Sequence, residues 1–369
     1  MIVQTAPDGA PRFVIRMSEH TALSDRFADA FGNDSFAPVA DPAARFIIAN
    51  HDAGWADLDN EFRIDPATGY PYNLTETPFE LIMGTSKASP DFNETHDPFS
   101  GLLSSMHSWG LYNGRYGLSD IVLLDKVAEQ NVPAAEKMLG HEETRQARLK
   151  KTLQADSETR DKVAEDRLMQ AYKQLQFFDT LALYFNRVHE GARVEAVFPH
   201  VPMSETEDAD ITVTPLGDGI YRVAPWPFVG DMLQVLFDGR YMQPEPGSAR
   251  STRAADLPVD GQTVTLTAGC PRRQFLFHPF VPAFARPACL RYGPPNGGSS
   301  VFAKTIGVVT AVIIFFLYFS WRGTDPVLET MLGILLALLG GAWAWWVTGR
   351  RQQRLQWDGL PPADRDPPQ

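Results

Sequence analysis

The chain has 369 residues and a formal net charge of −12 at pH 7, which is long enough for one large or two medium domains with a sizeable core. A nucleic-acid-binding surface needs clustered Lys and Arg, so this acidity predicts that nucleic acid is not a partner. Only two cysteines occur, Cys270 and Cys289, without a C-x-x-C pattern, so the sequence predicts neither a zinc ribbon nor a disulfide framework.

Apolar residues at helical spacing predict helices from residue 10 to residue 190. The first candidate, "SEHTALSDRFADAFG", begins at Ser18 and ends at Gly32, which is a plausible C′ glycine. The second, "DPAARFIIANHDAGW", carries Ala44, Ile47 and Ile48 on its predicted inner face. Both candidates therefore read as amphipathic helices that pack on a core.

Three more helical stretches follow. "FNETHDPFSGLLSSMHSWGLYNG" opens around Pro98 and carries Leu102 and Met106 at helical spacing. Residues 134–162 are highly charged with a thin apolar stripe, which predicts a solvated, protruding helical region. "VAEDRLMQAYKQLQFFDTLALYFNRV" regains a wide apolar face.

After Gly191 the period changes to short alternating runs separated by Gly, Pro and Asp turns, and "PLGDGIYRV" is a hairpin candidate. No βαβ alternation is present. The predicted fold class is therefore mainly α over residues 10–190, with a C-terminal β segment at residues 191–270 packed on it.

Two uncharged apolar segments lie near the end of the sequence, at residues 305–321 and 330–348. Each is long enough to cross most of a bilayer, so they predict a two-helix transmembrane hairpin over residues 301–349; the alternative is a pair of buried core helices. A flexible linker is predicted at residues 271–300 and a disordered cytoplasmic tail at 350–369.

Basic residues flank both ends of this predicted hairpin, and the N-terminal sequence has no signal-peptide pattern. The positive-inside rule then places both ends of the hairpin in the cytoplasm. We therefore expect an inner-membrane protein with its soluble domain in the cytoplasm and with membrane lipid as a partner of residues 301–349.

The doublet His51–Asp52 follows an apolar segment directly, and it predicts either a polar helix cap or a metal site. His20 and His107 also fall in predicted helices. Asp179 stands inside the apolar run "LQFFDTLALYF", where a buried charge needs a cation or strong donors. Metal coordination would supply that compensation, although hydrogen bonds from backbone or Tyr are the alternative.

The remaining histidines favour ordinary structural roles. His96 and Asp97 form a second doublet, but they head a Pro-containing helix start where an aspartate cap is expected. Histidines with no clustering signal are His141, His189, His200 and His278.

The order of His20, His51–Asp52 and Asp179 resembles the HD superfamily, all-helical metal-dependent phosphohydrolases defined by a His, a His–Asp doublet and a later Asp. The resemblance implies an HD-like helical bundle in which these four residues hold a divalent ion such as Mn, Fe, Co, Ni or Zn. It further implies that His107 is an extra ligand or faces the phosphate, with Asp52 and His107 as catalytic residues.

A closer resemblance is to a bacterial domain-of-unknown-function family, number 3891. Members of that family are similar to this sequence in five stretches: "HDAGW", "IDPATGYPYNL", "DPFSGLLSSMHSWGLY", "LQFFDTLALY" and "VAPWPF". The likeness covers roughly residues 10–270. This family supplies no substrate.

We therefore expect a metal-dependent hydrolase, with a phosphoester or nucleotide as its small phosphorylated substrate. The alternative is a non-catalytic metal- or ligand-binding module anchored to the membrane. Weaker candidates for helper residues are Asp57, Asp59, Arg63 and Lys173. Aromatic residues that either wall a pocket over the metal or pack the β segment on the helices are Trp55, Tyr70, Tyr72 and Trp226.

Overall fold

The structure is a computed structural model that describes residues 1–244 and 251–269. The described residues contain seven α-helices: α1 Met17–Ala30, α2 Pro42–Asn50, α3 Ala56–Asn60, α4 Phe79–His96, α5 Pro98–Tyr112, α6 Val132–Ala155 and α7 Glu165–Arg187. Their strands are β1 Ile2–Val3, β2 Arg12–Ile15, β3 Glu61–Arg63, β4 Ala196–Pro202, β5 Asp208–Gly217, β6 Ile220–Ala224, β7 Met232–Met242, β8 Ser251–Arg253 and β9 Asp260–Thr267.

Seven strands form a curled mixed sheet in the order β1-β2-β7-β9-β6-β5-β4. Its pairs are antiparallel except β6 with β9, which run parallel. Strands β3 and β8 form a separate two-stranded sheet. About half of the described residues are helical.

The predicted fold class, a mainly α HD-like bundle with a C-terminal β segment, is therefore wrong. Strands β1 and β2 come from the start of the chain and enter the sheet beside β7, where Val14 lies opposite Arg240. These strands are short: β1 pairs with β2, and the other partner of β2 is β7, far along the chain. No local period could reveal them.

The prediction of a transmembrane hairpin also needs correction. Within residues 1–244 and 251–269, no helix combines the length and the apolar character needed to cross a membrane. The predicted hairpin at 301–349, the linker at 271–300 and the tail at 350–369 lie outside the described residues. The inner-membrane localisation is accordingly unsupported and is withdrawn, and the division of the chain into domains stays a prediction.

Local capping explains where two of the helices begin. Asp41 precedes α2, and its carboxylate accepts the backbone N–H groups of Ala43 and Ala44 at 2.8 and 3.2 Å. Asp97 does the same for α5, so the cap predicted at the second doublet is confirmed. In both cases proline at the first helical position fits, because that residue needs no N–H partner.

Helix α7 lies at the centre of the core, in contact with α1, α2, α5 and β4. Its aromatic side chains join the helices to the sheet: the Phe185 and Tyr221 rings lie 5.0 Å apart, and those of Phe31 and Phe178 lie 5.2 Å apart. The charged stretch predicted to protrude is α6, which instead packs along α5 with Leu139 and Leu149 buried. The core therefore surrounds the helix that carries Asp179.

Candidate metal centre

Four helical elements bring the predicted ligands to one place. His20 lies in the first turn of α1, His51 is the C-terminal cap of α2, and Asp52 follows it. His107 and Asp179 lie inside α5 and α7. The three histidines and Asp179 are at most 4% exposed, whereas the Asp52 side chain is 17% exposed.

The polar atoms of His20, His51, Asp52 and Asp179 converge. The Nε2 atom of His20 lies 3.2 Å from Asp179 Oδ1 and 3.3 Å from His51 Nε2. His51 Nε2 lies 3.5 Å from Asp52 Oδ2 and 3.8 Å from Asp179 Oδ1. Ligands about 2.1 Å from one ion are themselves about 3.0–3.4 Å apart in octahedral or tetrahedral geometry, so the spacings among His20, His51 and Asp52 suit a shared ion.

The other nitrogen of each imidazole fixes which atom faces the centre. His51 Nδ1 lies 2.9 Å from the carbonyl oxygen of Ile48, which can only accept, so this nitrogen carries a proton. His20 Nδ1 lies 2.9 Å from the Asn186 side-chain oxygen as the amide is oriented. In the neutral rings each Nε2 atom therefore carries a lone pair, and the two lone pairs face each other.

Two imidazole lone pairs and two carboxylates repel one another unless a cation lies between them. A ligand histidine commonly donates its second N–H to a carbonyl oxygen, as His51 does here. His20, His51 and Asp52 satisfy the spacing for a shared ion, with one ligand atom from each within 4.8 Å of the others. The residues present fit a divalent metal with an N and O ligand set; their role as ligands stays a prediction.

The same burial and charges shift the pKa values of the cluster. Burial raises the pKa of Asp179, but the hydrogen bond from His20 and the charges of His51 and His107 outweigh it, so the net shift is downward. For His20, burial is outweighed by Asp179 and Asp52, and the pKa rises. Burial raises the pKa of Asp52, against the opposing charges of His51 and His20. The carboxylates thus draw positive charge to His20 when no metal is bound.

His107 differs from the other two histidines. Burial lowers its pKa to about 3, so the ring is neutral near pH 7. Its ring centroid lies 5.3 Å from that of His51, and its Nδ1 lies 2.9 Å from the amide nitrogen of Gln176. With this amide orientation Nε2 carries the proton and can donate to a substrate, whereas the reversed amide would make Nε2 a ligand.

The cluster forms the floor of a cavity of about 360 Å³. Trp55 lines this cavity, as one of the four predicted aromatic residues. Tyr72 is not among its lining residues; Tyr70 packs under Arg12, and Trp226 packs on Phe228. For those three, the packing alternative describes their surroundings better.

The weaker helper candidates lie away from the cavity. The carboxylate of Asp59 accepts the N–H groups of Met17 and Ser18 at 2.8 and 2.9 Å, so it fixes the start of α1. Lys173 pairs with Asp208 at 2.5 Å. Neither Asp57 nor Arg63 lines the cavity.

The sequence reasoning missed three residues of the centre, which are Arg115, Gln176 and Asn186. Gln176 and Asn186 lie on the same face of α7 as Asp179, at offsets of −3 and +7. A polar stripe inside an apolar helix at helical spacing was the available signal.

Arg115 lies in the cavity wall, is 7% exposed, and places Nη2 at 3.9 Å from Asp179 Oδ2. It belongs to a left-handed turn, Gly114–Gly117, in which Arg115 and Tyr116 have φ values of 51° and 58°. Each non-glycine residue in this region costs about 1–2 kcal/mol. Such strain is often kept at functional sites.

A family model described as "Protein of unknown function (DUF3891)" matches residues 1–244. The match starts earlier and ends earlier than the predicted likeness over residues 10–270, and it includes β1 and β2. It does not show the predicted resemblance to the HD superfamily. No curated protein and no solved structure was found to match the sequence. The model covers more than half of the sequence, and the chain belongs to the DUF3891 family.

Proposed function

We propose that this member of the DUF3891 family is a metal-dependent phosphohydrolase that acts on a small phosphoester or nucleotide. The observation that carries the proposal is the approach of two imidazole nitrogens, His20 Nε2 and His51 Nε2, to 3.3 Å, with two carboxylates beside them. The order of these residues along the chain, which resembles the HD ligand set, supports the same chemistry.

Four side chains would hold the ion: His20, His51, Asp52 and Asp179. Imidazole nitrogen and carboxylate oxygen suit Mn, Fe, Co, Ni or Zn, and four protein ligands leave open positions in an octahedral set. A divalent ion bound there would acidify a water molecule and polarise a phosphoryl oxygen.

The chain's own residues supply the other requirements of hydrolysis. Asp52 has two oxygens, so one oxygen can serve the ion while the other accepts a proton from water. His107, neutral and held through Nδ1, can donate its Nε2–H to a phosphoryl oxygen. Arg115 and Lys126 also line the cavity and offer positive charge to a phosphate group.

The proposal is tested by metal analysis and hydrolysis assays on the purified full chain. We expect about one equivalent of transition metal in the wild type and none in the His51→Ala variant. His141→Ala, which removes an exposed histidine of α6, should keep the metal and serves as the control. Hydrolysis of a panel of phosphomonoesters, phosphodiesters and nucleotides should vanish on chelation and return on adding metal.

Two outcomes contradict the proposal in different ways. If the wild-type protein holds no stoichiometric metal, or if His51→Ala leaves the metal content unchanged, the proposed metal centre is wrong. If the protein binds metal but hydrolyses no panel member, the proposed enzymatic activity is wrong. That result favours the alternative, a non-catalytic metal- or ligand-binding module.

A further inference from the structure

We infer that the substrate is a phosphate monoester of an apolar alcohol or phenol, and that Arg115 is the residue that binds its phosphate. The inference deepens the proposed function and rests on it. It comes from three features of the cavity above the metal centre: a buried guanidinium, the balance of charge, and the character of the walls.

Arg115 is built into the cavity wall beside the cluster. Its side chain is buried, and its Nη2 atom lies 3.9 Å from Asp179 Oδ2. That distance exceeds a hydrogen bond, so Asp179 does not hold this N–H group. The strained left-handed turn Gly114–Gly117 keeps the arginine at this position. A guanidinium so placed matches the oxygen geometry of a phosphate.

The charges around the cavity favour a dianion. The two carboxylates, Asp52 and Asp179, balance a divalent ion at the centre. The charges of Arg115 and of the exposed Lys126 then remain to match a ligand. A phosphate monoester carries about two negative charges near pH 7, as phosphorylated side chains do, whereas a diester carries one.

The walls favour an apolar organic group over a sugar. Side chains that line the cavity away from the cluster are Trp55, Leu74, Ile82, Leu111, Val127 and Leu183. Hydroxyl groups are present too, and several are engaged within the protein. Those of Thr77 and Thr85 donate to the backbone oxygens of Asn73 and Ile82 at 2.9 Å. The Ser89 hydroxyl accepts the N–H of Gly54 at 3.0 Å, and Ser86 is hydrogen-bonded with Tyr112. A polyol would therefore lose bonds to water that these groups do not replace.

The volume sets the size of that organic group. A cavity of about 360 Å³ has the volume of about a dozen water molecules in the liquid. It can hold a phosphate with a short alkyl chain or one aromatic ring. Burial of each added methylene should then strengthen binding until the cavity is full.

The test is calorimetric titration of the purified full chain, with its metal, against the non-hydrolysable n-alkylphosphonates from methyl to hexyl. We expect affinity to rise about threefold to fourfold per methylene. Arg115→Met should weaken every member about tenfold to a hundredfold with unchanged metal content, while Arg222→Met, an exposed arginine of β6, should have no effect. Leu111→Ser should flatten the dependence on chain length without changing the affinity for methylphosphonate.

Lys126→Met, at an exposed position, keeps the inference testable if Arg115→Met does not fold. It should reduce the preference for methylphosphonate over its monomethyl ester about threefold to tenfold. Equal affinity along the alkyl series overturns the apolar substrate, and unchanged affinity in Arg115→Met overturns its phosphate role. Phosphonates are not hydrolysed, so their binding can be measured even if the protein has no hydrolytic activity. If affinity then still rises along the alkyl series, this ligand class is supported although the proposed reaction is wrong.

Discussion

Two buried polar clusters in this protein compensate their charges differently. Around Arg145, the guanidinium meets Glu94 at 2.6 Å and Glu142 at 3.0 Å, and it also pairs with Asp91. In the metal centre the closest polar atoms are two imidazole nitrogens and the oxygens of Asp52 and Asp179. In the first cluster the arginine contacts all three carboxylates directly. In the second the nearest guanidinium, that of Arg115, stays 3.9 Å from Asp179 while His20, His51 and Asp52 approach one another without it.

We interpret this difference as that between a structural network and a proposed binding site. A set of carboxylates closed by an arginine gains nothing from an added ion. A set of lone pairs directed at one another is favourable only when something positive lies between them. Four changes should break or sharpen this contrast.

The largest effect is expected from Asp179→Asn. It removes a proposed charged ligand that lies 3.2 Å from His20 Nε2, so metal content should fall to less than about a tenth of an equivalent. Phosphoester hydrolysis should fall about a thousandfold or more, equivalent to about 4 kcal/mol of activation free energy. The measurements are elemental analysis and steady-state kinetics. Asp166→Asn, an exposed residue of the same helix, is the control, and full metal occupancy in Asp179→Asn would contradict the assignment.

Arg145→Met should have the opposite pattern of effects: it should lower the free energy of unfolding and leave the metal content unchanged. It leaves the buried Glu142 without its cation, and we expect a loss of about 3 kcal/mol in the free energy of unfolding. Denaturant unfolding and elemental analysis check the two parts. Arg148→Met, which removes an arginine that is 53% exposed, should cost less than about 1 kcal/mol. Loss of metal in Arg145→Met would show that the two clusters are coupled.

Gly54→Ala should lower the metal affinity although Gly54 is not itself a proposed ligand. A Cβ atom at Gly54 would lie 2.4 Å from the backbone oxygen of Thr85 and 2.6 Å from the nitrogen of Ser89, so the turn after His51–Asp52 must move away from α4. We expect metal affinity to fall about tenfold to a hundredfold and stability to fall by about 1–3 kcal/mol. Competition with a chelator measures the first and unfolding the second.

Gly84→Ala is the matched control for that change. Gly84 lies in α4 with no atom within 4 Å of an added Cβ, so this variant should keep the metal and gain about 0.5–1 kcal/mol. Normal metal affinity in Gly54→Ala would mean that the close approach to α4 does not position the doublet.

The smallest effect concerns pH and Glu142. Burial, which outweighs the hydrogen bond of Ser105 and the attraction of Arg145, raises the pKa of Glu142 above its ordinary 4.5. Above pH 4.5 the unfolded chain therefore loses a proton that the native protein keeps, and stability falls as the pH rises toward the raised pKa. Glu142→Gln should remove this slope in unfolding measurements across that window, while Glu136→Gln, exposed on the same helix, should preserve it.

The sequence was informative about the ligand candidates because each carried a local anomaly. Asp179 interrupts an apolar helix, and His51–Asp52 ends one, so the physical cost of burying them pointed to a shared site. The structure brings these residues together with His20 and His107. Gln176 and Asn186 showed a weaker version of the same anomaly, since a buried amide costs less than a buried charge.

The fold was less accessible for a different reason. Helices α1, α2, α5 and α7 are encoded by local periodicity, with side-chain caps at α2 and α5. Strands β1 and β2 are too short for a local period and join the sheet through the pairing of β2 with β7, far along the chain. Arg115 was equally hidden, because its position depends on a left-handed turn whose direction no local pattern reveals. The sequence thus indicated the candidate site residues that lie on helices, but not the strands that depend on distant pairing or the arginine that depends on the left-handed turn.

The pairing of β2 with β7 also predicts an order of folding. Val14 lies opposite Arg240, and the Arg240 guanidinium reaches Glu19 of α1 at 2.6 Å. Such distant contacts close slowly, because the chain entropy of a very long loop is lost before the contact stabilises anything. During synthesis α1 must wait for nearly all of the described chain to emerge before its strand partner exists. His20 follows Glu19 directly in α1, so we expect it to be among the last of the proposed ligands to reach its final position. The proposed metal centre would then be completed only when the sheet closes.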